Sequence, residues 1–175
     1  ILPRILPSAG IGLQLDNGLT LQASMGDQSA ALIAGITGHA EALVNLGTGG
    51  FVIRYLGENQ TMQAGYLRTL VYQDSRTHLA IEGTLNSLAT ALAPYPMSEC
   101  RIENLGADDI FCLAEPSGIG APYFRSDLGL RFSEPVERLP PQRIAALLLE
   151  GILFRVARIL EDFHRAAPLR IQLHG

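Results

Sequence analysis

The sequence predicts an α/β layer fold in which a mixed β-sheet is flanked by helices. Three short strand-like segments follow one another early in the chain, and helical and strand-like segments alternate later, which is typical of this class. The chain has 175 residues, of which 47% are hydrophobic. That is enough for one domain with a substantial core. Charged residues make up 17%, below the usual quarter, so the chain buries more of itself than average or packs against something else.

The predicted elements occupy most of the chain. In order they are a strand at 19–23, a helix starting at or near Asp27, a hairpin of strands at 41–46 and 51–55, a strand at 66–73, a helix at 79–92, a strand at 110–114, a long helix at 142–164 and a strand at 169–173.

The N-terminal 20 residues are rich in Pro and Gly and are expected to form a connecting segment, with turns at 8–10 and 17–18. A short apolar strand follows. The small, helix-prone residues at 29–34 then predict a helix that ends near Gly35 and Gly38.

The hairpin prediction rests on two strand-like segments that flank the glycine-rich turn Gly47-Thr48-Gly49-Gly50. The segment 66–73 has apolar and aromatic residues typical of a third strand. The apolar run at 79–92 is interpreted as a helix that prolines 94 and 96 end.

The C-terminal half carries the strongest helical pattern. Two prolines at 140–141 suit a helix start, and apolar residues from Ile144 to Phe163 recur every three or four positions on one face. Before this helix, the strand at 110–114 leads into a loop rich in Gly and Pro at 115–123. We find no repeat and no low-complexity tract.

Composition excludes several classes of protein. All 13 basic residues are arginines. A Walker A loop, a protein kinase and a pyridoxal phosphate enzyme each need a lysine, so none of them fits within this chain. The net charge is −4 without a basic run, which argues against a nucleic-acid partner. No apolar run reaches the length of a membrane span.

Cysteine and histidine do not point to a metal site. Cys100 and Cys112 form no CxxC pair and are interpreted as buried thiols in a reducing cytoplasm. The four histidines, at 39, 78, 164 and 174, lack metal-ligand spacing and are expected to be structural or solvent-facing.

Three segments could carry chemistry, and each has a structural alternative. Asp27, in Gly26-Asp27-Gln28, could take a proton from a hydroxyl nucleophile, or it could simply cap the helix. Thr48 and the glycines around it could hold an anion with backbone amides, or they could form an ordinary hairpin turn.

The third segment runs from Ser117 to Tyr123. It is not GxGxxG followed by a helix, and it is not GxSxG, so neither a dinucleotide site nor a hydrolase elbow is indicated. The bottom-up interpretation is a structural loop that Gly and Pro shape.

Taken in order, these segments resemble the FGGY family of carbohydrate kinases. The matching segments are Leu6-Pro7-Ser8-Ala9-Gly10, Gly26-Asp27-Gln28-Ser29-Ala30-Ala31, Asn45-Leu46-Gly47-Thr48-Gly49, Glu82-Gly83-Thr84 (which resembles a helix start of the family), Gly118-Ile119-Gly120-Ala121-Pro122-Tyr123, Leu149-Glu150-Gly151-Ile152 and 169–175. The likeness covers nearly the whole chain.

The resemblance implies a ribonuclease-H-like, actin-like ATPase domain that phosphorylates a sugar or polyol. It implies Asp27 as catalytic base, with Gln28 beside the substrate hydroxyls. It further implies that Gly47, Thr48, Gly49, Gly118 and Gly120 bind the cofactor ATP. Mg²⁺ would be held mainly by the other domain, and the family's phosphate grip needs no lysine.

The resemblance also predicts how the chain is organised. Residues 1–20 would be the tail of an N-terminal domain with its connecting segment, and 21–175 a partial C-terminal domain. The chain starts without Met and is expected to be a fragment, inactive alone, of a cytoplasmic enzyme that is a homo-oligomer. Its partners would be the substrate and its own N-terminal domain.

Some residues depart from the family pattern. Phe124 replaces a tryptophan, and the segment 93–109 lacks a Trp-Leu pair. Two rival functions stay open. One is a non-catalytic actin-like module that senses sugar or nucleotide. The other is an acyl-phosphate kinase of the same superfamily, which Gly26-Asp27-Gln28 fits poorly.

Overall fold

A computed structural model describes residues 3, 5–36, 38, 41–59, 62–166 and 169–174. The strands are β1 (Ala9–Gln14), β2 (Thr20–Ala23), β3 (Glu41–Leu46), β4 (Gly50–Gly57), β5 (Leu67–Gln73), β6 (Thr77–Leu85), β7 (Cys112–Leu113), β8 (Arg131–Phe132) and β9 (Arg170–His174). The α-helices are α1 (Asp27–Gly35), α2 (Leu88–Leu92) and α3 (Pro141–Ala166), and single 3₁₀ turns lie at Met97–Glu99 and Ile102–Asn104.

The central sheet has five strands in the order β5-β6-β4-β3-β9. Four neighbouring strands are antiparallel, and β9 runs parallel to β3 at one edge. The mixed sheet is therefore confirmed, and the parallel pair needs the long α3 crossover between its strands.

Helices cover both faces of this sheet, as predicted. On one face Leu32 of α1 packs with Leu43, Ile53 and neighbouring strand residues. On the other face α3 buries the apolar stripe that its periodicity predicts, including Ile152 and Ile159. The sheet thus has its own core on each side.

Helix α3 is anchored along its length by polar contacts to other segments. Arg143 pairs with Asp108 at 2.6 Å. Near the C-terminal end, Asp162 accepts a hydrogen bond from the Tyr66 hydroxyl at 2.7 Å. The buried Arg54 of β4 donates to the carbonyl of Phe163 at 2.8 Å. These contacts fix two loops and strand β4 to one helix.

The predicted helix at 79–92 is wrong. Residues 77–85 form β6, the strand between β4 and β5, and only 88–92 are helical. Both faces of β6 are buried, so its apolar residues do not alternate with exposed polar ones. Such a run does not distinguish a buried strand from a helix. Glu82-Gly83-Thr84 therefore lies within a strand and does not start a helix.

The connecting segment at the N-terminus contains a strand that the sequence analysis missed. Strand β1 pairs antiparallel with β2. The predicted turn at Asn17-Gly18 is confirmed, since Gly18 has φ +81° and its amide donates to Leu15. The predicted strand at 110–114 shrinks to the two residues of β7, and the loop at 115–123 is confirmed.

Candidate functional site

Asp27 is the first residue of α1 and is exposed. Its Oδ1 accepts the backbone N–H of Gln28 at 2.8 Å. The cap position itself is Gly26, and no side chain caps this helix. Asp27 is therefore not the N-cap residue, although its carboxylate accepts one free amide of the first turn. The carboxylate lies in solvent beside the half-buried Gln28.

The β3–β4 hairpin tip presents Gly47 and Thr48 to solvent. The Gly47 amide donates to the Gly49 carbonyl at 2.8 Å, and the Thr48 carbonyl accepts from the amide of Ala89 in α2 at 3.1 Å. The tip therefore rests directly on the start of α2.

Gly49 and Gly50 of this hairpin serve close packing. None of Gly47, Gly49 and Gly50 has a positive φ. A Cβ on Gly49 would lie 3.0 Å from the Leu85 carbonyl oxygen, and one on Gly50 would lie 2.9 Å from Leu88. A Cβ on Gly47 would meet nothing within 4 Å. The turn alternative based on positive φ thus does not explain this run.

The loop at 115–123 is packed against the end of β6. Gly118 and Gly120 are buried, and a Cβ on Gly120 would lie 2.1 Å from the Thr84 carbonyl oxygen. The Gly118 amide donates to the main-chain carbonyl of Glu115 at 3.1 Å. The Gly120 amide donates to the Glu115 carboxylate at 2.9 Å. Both glycine amides are therefore engaged inside the loop.

Glu115, the first residue of this loop, accepts several of its hydrogen bonds and is 1% exposed. Its Oε1 accepts from Arg155 Nε at 2.7 Å, and its Oε2 accepts the amide of Asn86 at 2.7 Å as well as that of Gly120. We call Glu115, Arg155, Asn86 and Gly120 the Glu115 clamp. The sequence analysis missed it, although Arg155 interrupts the apolar stripe of α3 between Ile152 and Val156.

The structure brings four predicted or newly found segments together. The hairpin tip contacts α2, the Ser87 and Ser117 hydroxyls hydrogen-bond each other, and the Glu115 clamp joins the end of β6 to the loop. Asp27 is not joined to this group by any hydrogen bond or ion pair within the described residues, because α1 covers the opposite sheet face.

Two further groups have shifted proton affinities. Burial raises the pKa of Glu82 in β6, although the Thr69 hydroxyl donates a hydrogen bond to it at 3.3 Å. Burial also raises the pKa of Cys112 to about 12. This thiol therefore stays protonated at neutral pH.

The histidines show no metal site in the part of the chain that the structure describes, and no group of three or more His, Cys, Asp and Glu converges there. His78 stacks on Tyr72 with ring centroids 3.9 Å apart, and His164 is exposed. His39 lies outside the described residues. No helix among the described residues is long and apolar enough to cross a membrane.

Comparison with known proteins gives no matching family model. The chain is 26% identical over 194 residues to a glycerol kinase from Arabidopsis thaliana, which covers 95% of the chain and 36% of that protein. It thus spans little more than a third of this curated relative.

Solved structures share the fold. A glycerol kinase from Plasmodium falciparum with ADP aligns with TM-score 0.70 and 23% identity, over 89% of this chain and 34% of that one. A xylulose kinase from Brucella ovis aligns with TM-score 0.74 and 22% identity, over 99% and 40%. The resemblance to FGGY carbohydrate kinases and the actin-like fold are confirmed.

Proposed function

We propose, from this likeness in sequence and fold to FGGY carbohydrate kinases, that the protein containing this chain transfers the γ-phosphate of ATP to a hydroxyl of a sugar or polyol. Asp27 is the catalytic base of the proposal, and the hairpin tip holds the phosphates. The different acceptors in the names of the similar kinases, glycerol and xylulose, leave the substrate within this class open.

The observation that carries the proposal is the exposed carboxylate of Asp27 at the start of α1. Its hydrogen bond to the Gln28 amide fixes the orientation of one oxygen. The carboxylate can then take the proton from a substrate hydroxyl as that oxygen attacks the phosphate. In phosphoryl transfer, positioning and charge stabilisation supply most of the rate, so one oriented base suffices. Gln28 lies next to it and would contact the substrate hydroxyls.

We propose that the tip of the β3–β4 hairpin binds the nucleotide phosphates. Gly47 and Thr48 are exposed at the tip, and the Thr48 hydroxyl with the backbone amides of the turn would be the donors to a phosphate. Gly47 donates to Gly49 in this structure, so its amide would have to change partner to bind. For Gly118 and Gly120, whose amides Glu115 engages, we propose that they shape the loop beside the nucleotide.

Mg²⁺ accompanies ATP and neutralises charge on its phosphates. No group of three or more candidate ligands converges within the described residues. The donor set here fits phosphate better than a metal. We therefore propose that the ion is held by the phosphates and by residues of the N-terminal domain.

We propose that residues 1–20 are the tail of an N-terminal domain and that residues 21–175 are part of the second domain. Strand β1 pairs with β2 across that boundary, so the tail is bound to the second domain. Acceptor and nucleotide would then lie between the two domains, and this chain alone would be inactive. We further propose a cytoplasmic homo-oligomer.

The decisive experiment measures ADP formation by the complete protein with glycerol, ketoses, aldonates and heptuloses. Asp27→Asn should lower kcat by about 10²- to 10⁴-fold, or roughly 3–5 kcal/mol in barrier, since it removes the base. Asp16→Asn is the matched control, because Asp16 is an equally exposed carboxylate in the β1–β2 turn. It should keep full activity.

Each outcome distinguishes between the proposed kinase and the non-catalytic module. Turnover that is lost in Asp27→Asn and retained in Asp16→Asn supports the kinase activity. The compound that gives this turnover is then the acceptor. An Asp27→Asn enzyme with most of its activity contradicts the role of Asp27. Nucleotide or sugar binding without turnover on the whole panel favours the non-catalytic module.

A further inference from the structure

The Glu115 clamp holds a buried carboxylate, and hydrogen-bond donors compensate for its loss of hydration. Both oxygens of Glu115 accept hydrogen bonds, from Arg155, Asn86 and Gly120. Arg155 also donates to the Ala121 carbonyl at 2.5 Å and lies over the Tyr123 ring at 5.2 Å. A buried ion pair contributes little net stability, so stabilisation of the fold does not explain why this pair is present.

The clamp is connected to the proposed phosphate site by short, named contacts. Asn86 follows the last residue of β6, and its side chain donates to the Gly118 carbonyl at 2.8 Å. The next residue, Ser87, has the strained φ of +56° and bonds Ser117. Two residues later, the Ala89 amide holds the Thr48 carbonyl at the hairpin tip.

We propose that Glu115 is a positioning residue for nucleotide phosphate: by fixing Asn86 and Ser87 it sets where α2 begins and thus where Thr48 stands. This inference rests on the proposed function. Glu115 is buried at the start of the loop and acts through the backbone amides of Asn86 and Gly120 that it binds.

The negative charge is required because every partner of Glu115 is a donor. A glutamine at this position would place its NH₂ either against Arg155 Nε or against the amides of Asn86 and Gly120. Either arrangement sets donor against donor. The end of β6 and the loop would then move apart, and Thr48 would lose its fixed support.

The test measures ADP affinity of the complete protein by calorimetry, at a temperature where circular dichroism shows every variant folded. Glu115→Gln should weaken ADP binding by about tenfold, because small misplacements of binding groups are costly. Arg155→Lys keeps the positive charge but loses the planar guanidinium that bonds both Glu115 and the Ala121 carbonyl, so it should bind ADP with intermediate affinity.

Asp108→Asn is the matched control. It breaks another ion pair between a loop and α3, that with Arg143, but Asp108 has no contact with the clamp among the described hydrogen bonds and ion pairs. It should lower Tm while leaving ADP affinity within twofold. A purely structural role for Glu115 predicts the same pattern for Glu115→Gln, and that result would overturn the proposal.

A second variant serves if Glu115→Gln does not fold. Asn86→Ala removes only the side-chain bond to the Gly118 carbonyl, and it should weaken ADP binding at least threefold. Unchanged ADP affinity in this variant refutes the positioning role. If the unmodified protein binds no ADP, the proposed nucleotide site fails together with it. If the unmodified protein and Asn86→Ala bind ADP equally, only the positioning role fails.

Discussion

Gly120→Ala should destabilise the fold strongly, although the change adds a single methyl group. The new Cβ would lie 2.1 Å from the Thr84 carbonyl oxygen and 2.9 Å from its carbon. Ordinary contacts of this kind are above 3 Å, so the loop and β6 must separate by roughly 1 Å. Both are backbone, and no flexible side chain can yield in their place.

The separation affects two hydrogen bonds besides the steric contact. The Ala121 amide donates to the same Thr84 carbonyl at 3.0 Å, and the Gly120 amide donates to Glu115 at 2.9 Å. Overpacking of a buried site costs about 1–3 kcal/mol, and a buried polar group that loses its partner costs about 1–3 kcal/mol more. We expect a loss of roughly 2–6 kcal/mol in the free energy of unfolding.

Urea denaturation followed by circular dichroism measures this loss, and Gly47→Ala is the control. A Cβ on Gly47 meets nothing within 4 Å, so its free energy of unfolding should stay within about 0.5 kcal/mol. Any effect of Gly47→Ala should appear in nucleotide binding instead. A Gly120→Ala protein as stable as the unmodified one would refute the packing argument.

Two further predictions concern buried titratable groups. Glu82→Gln should raise the free energy of unfolding at pH 7, because burial raises the pKa of Glu82 and disfavours its ionised form in the fold. That penalty grows as pH rises above the unfolded value near 4.5, so the gain should vanish below about pH 4, whereas the exposed control Glu137→Gln should show no gain; a gain independent of pH would contradict this. Cys112, with a pKa near 12, should resist iodoacetamide at pH 8 until the protein is denatured, while the half-buried Cys100 is labelled first; equal native rates, measured by mass spectrometry, would show the thiol accessible.

The sequence pattern predicted the elements whose periodicity is local. The apolar stripe from Ile144 to Phe163 predicted both ends of α3 to within two residues. The glycine-rich turn after Leu46 predicted the hairpin. Asp27 was correctly predicted at a helix start. In these cases the residues that determine the structure are neighbours along the chain, so the local sequence pattern is enough to predict it.

The misses depend on partners distant in sequence. β6 is a strand because β4 and β5 bind it on both sides, and nothing within its own apolar run shows those neighbours. Glu115 and Arg155 are 40 residues apart, and a lone charge in an apolar stretch does not identify its counter-ion. The sequence likewise predicted a loop around Gly120, but its close approach to the Thr84 carbonyl depends on a residue 36 positions earlier.

Arg143, Arg155 and Asp162 join α3 to other segments through polar side-chain contacts, and these contacts constrain how this domain can change in length. Arg155 is 12 positions after Arg143, and Asp162 is 7 positions after Arg155. They therefore stand about 18 Å and 10 Å apart along the axis. An insertion of one residue between two anchors would turn the second by about 100° and carry it away from its partner. Surface loops can lengthen freely, whereas the register of this helix admits neither insertion nor deletion.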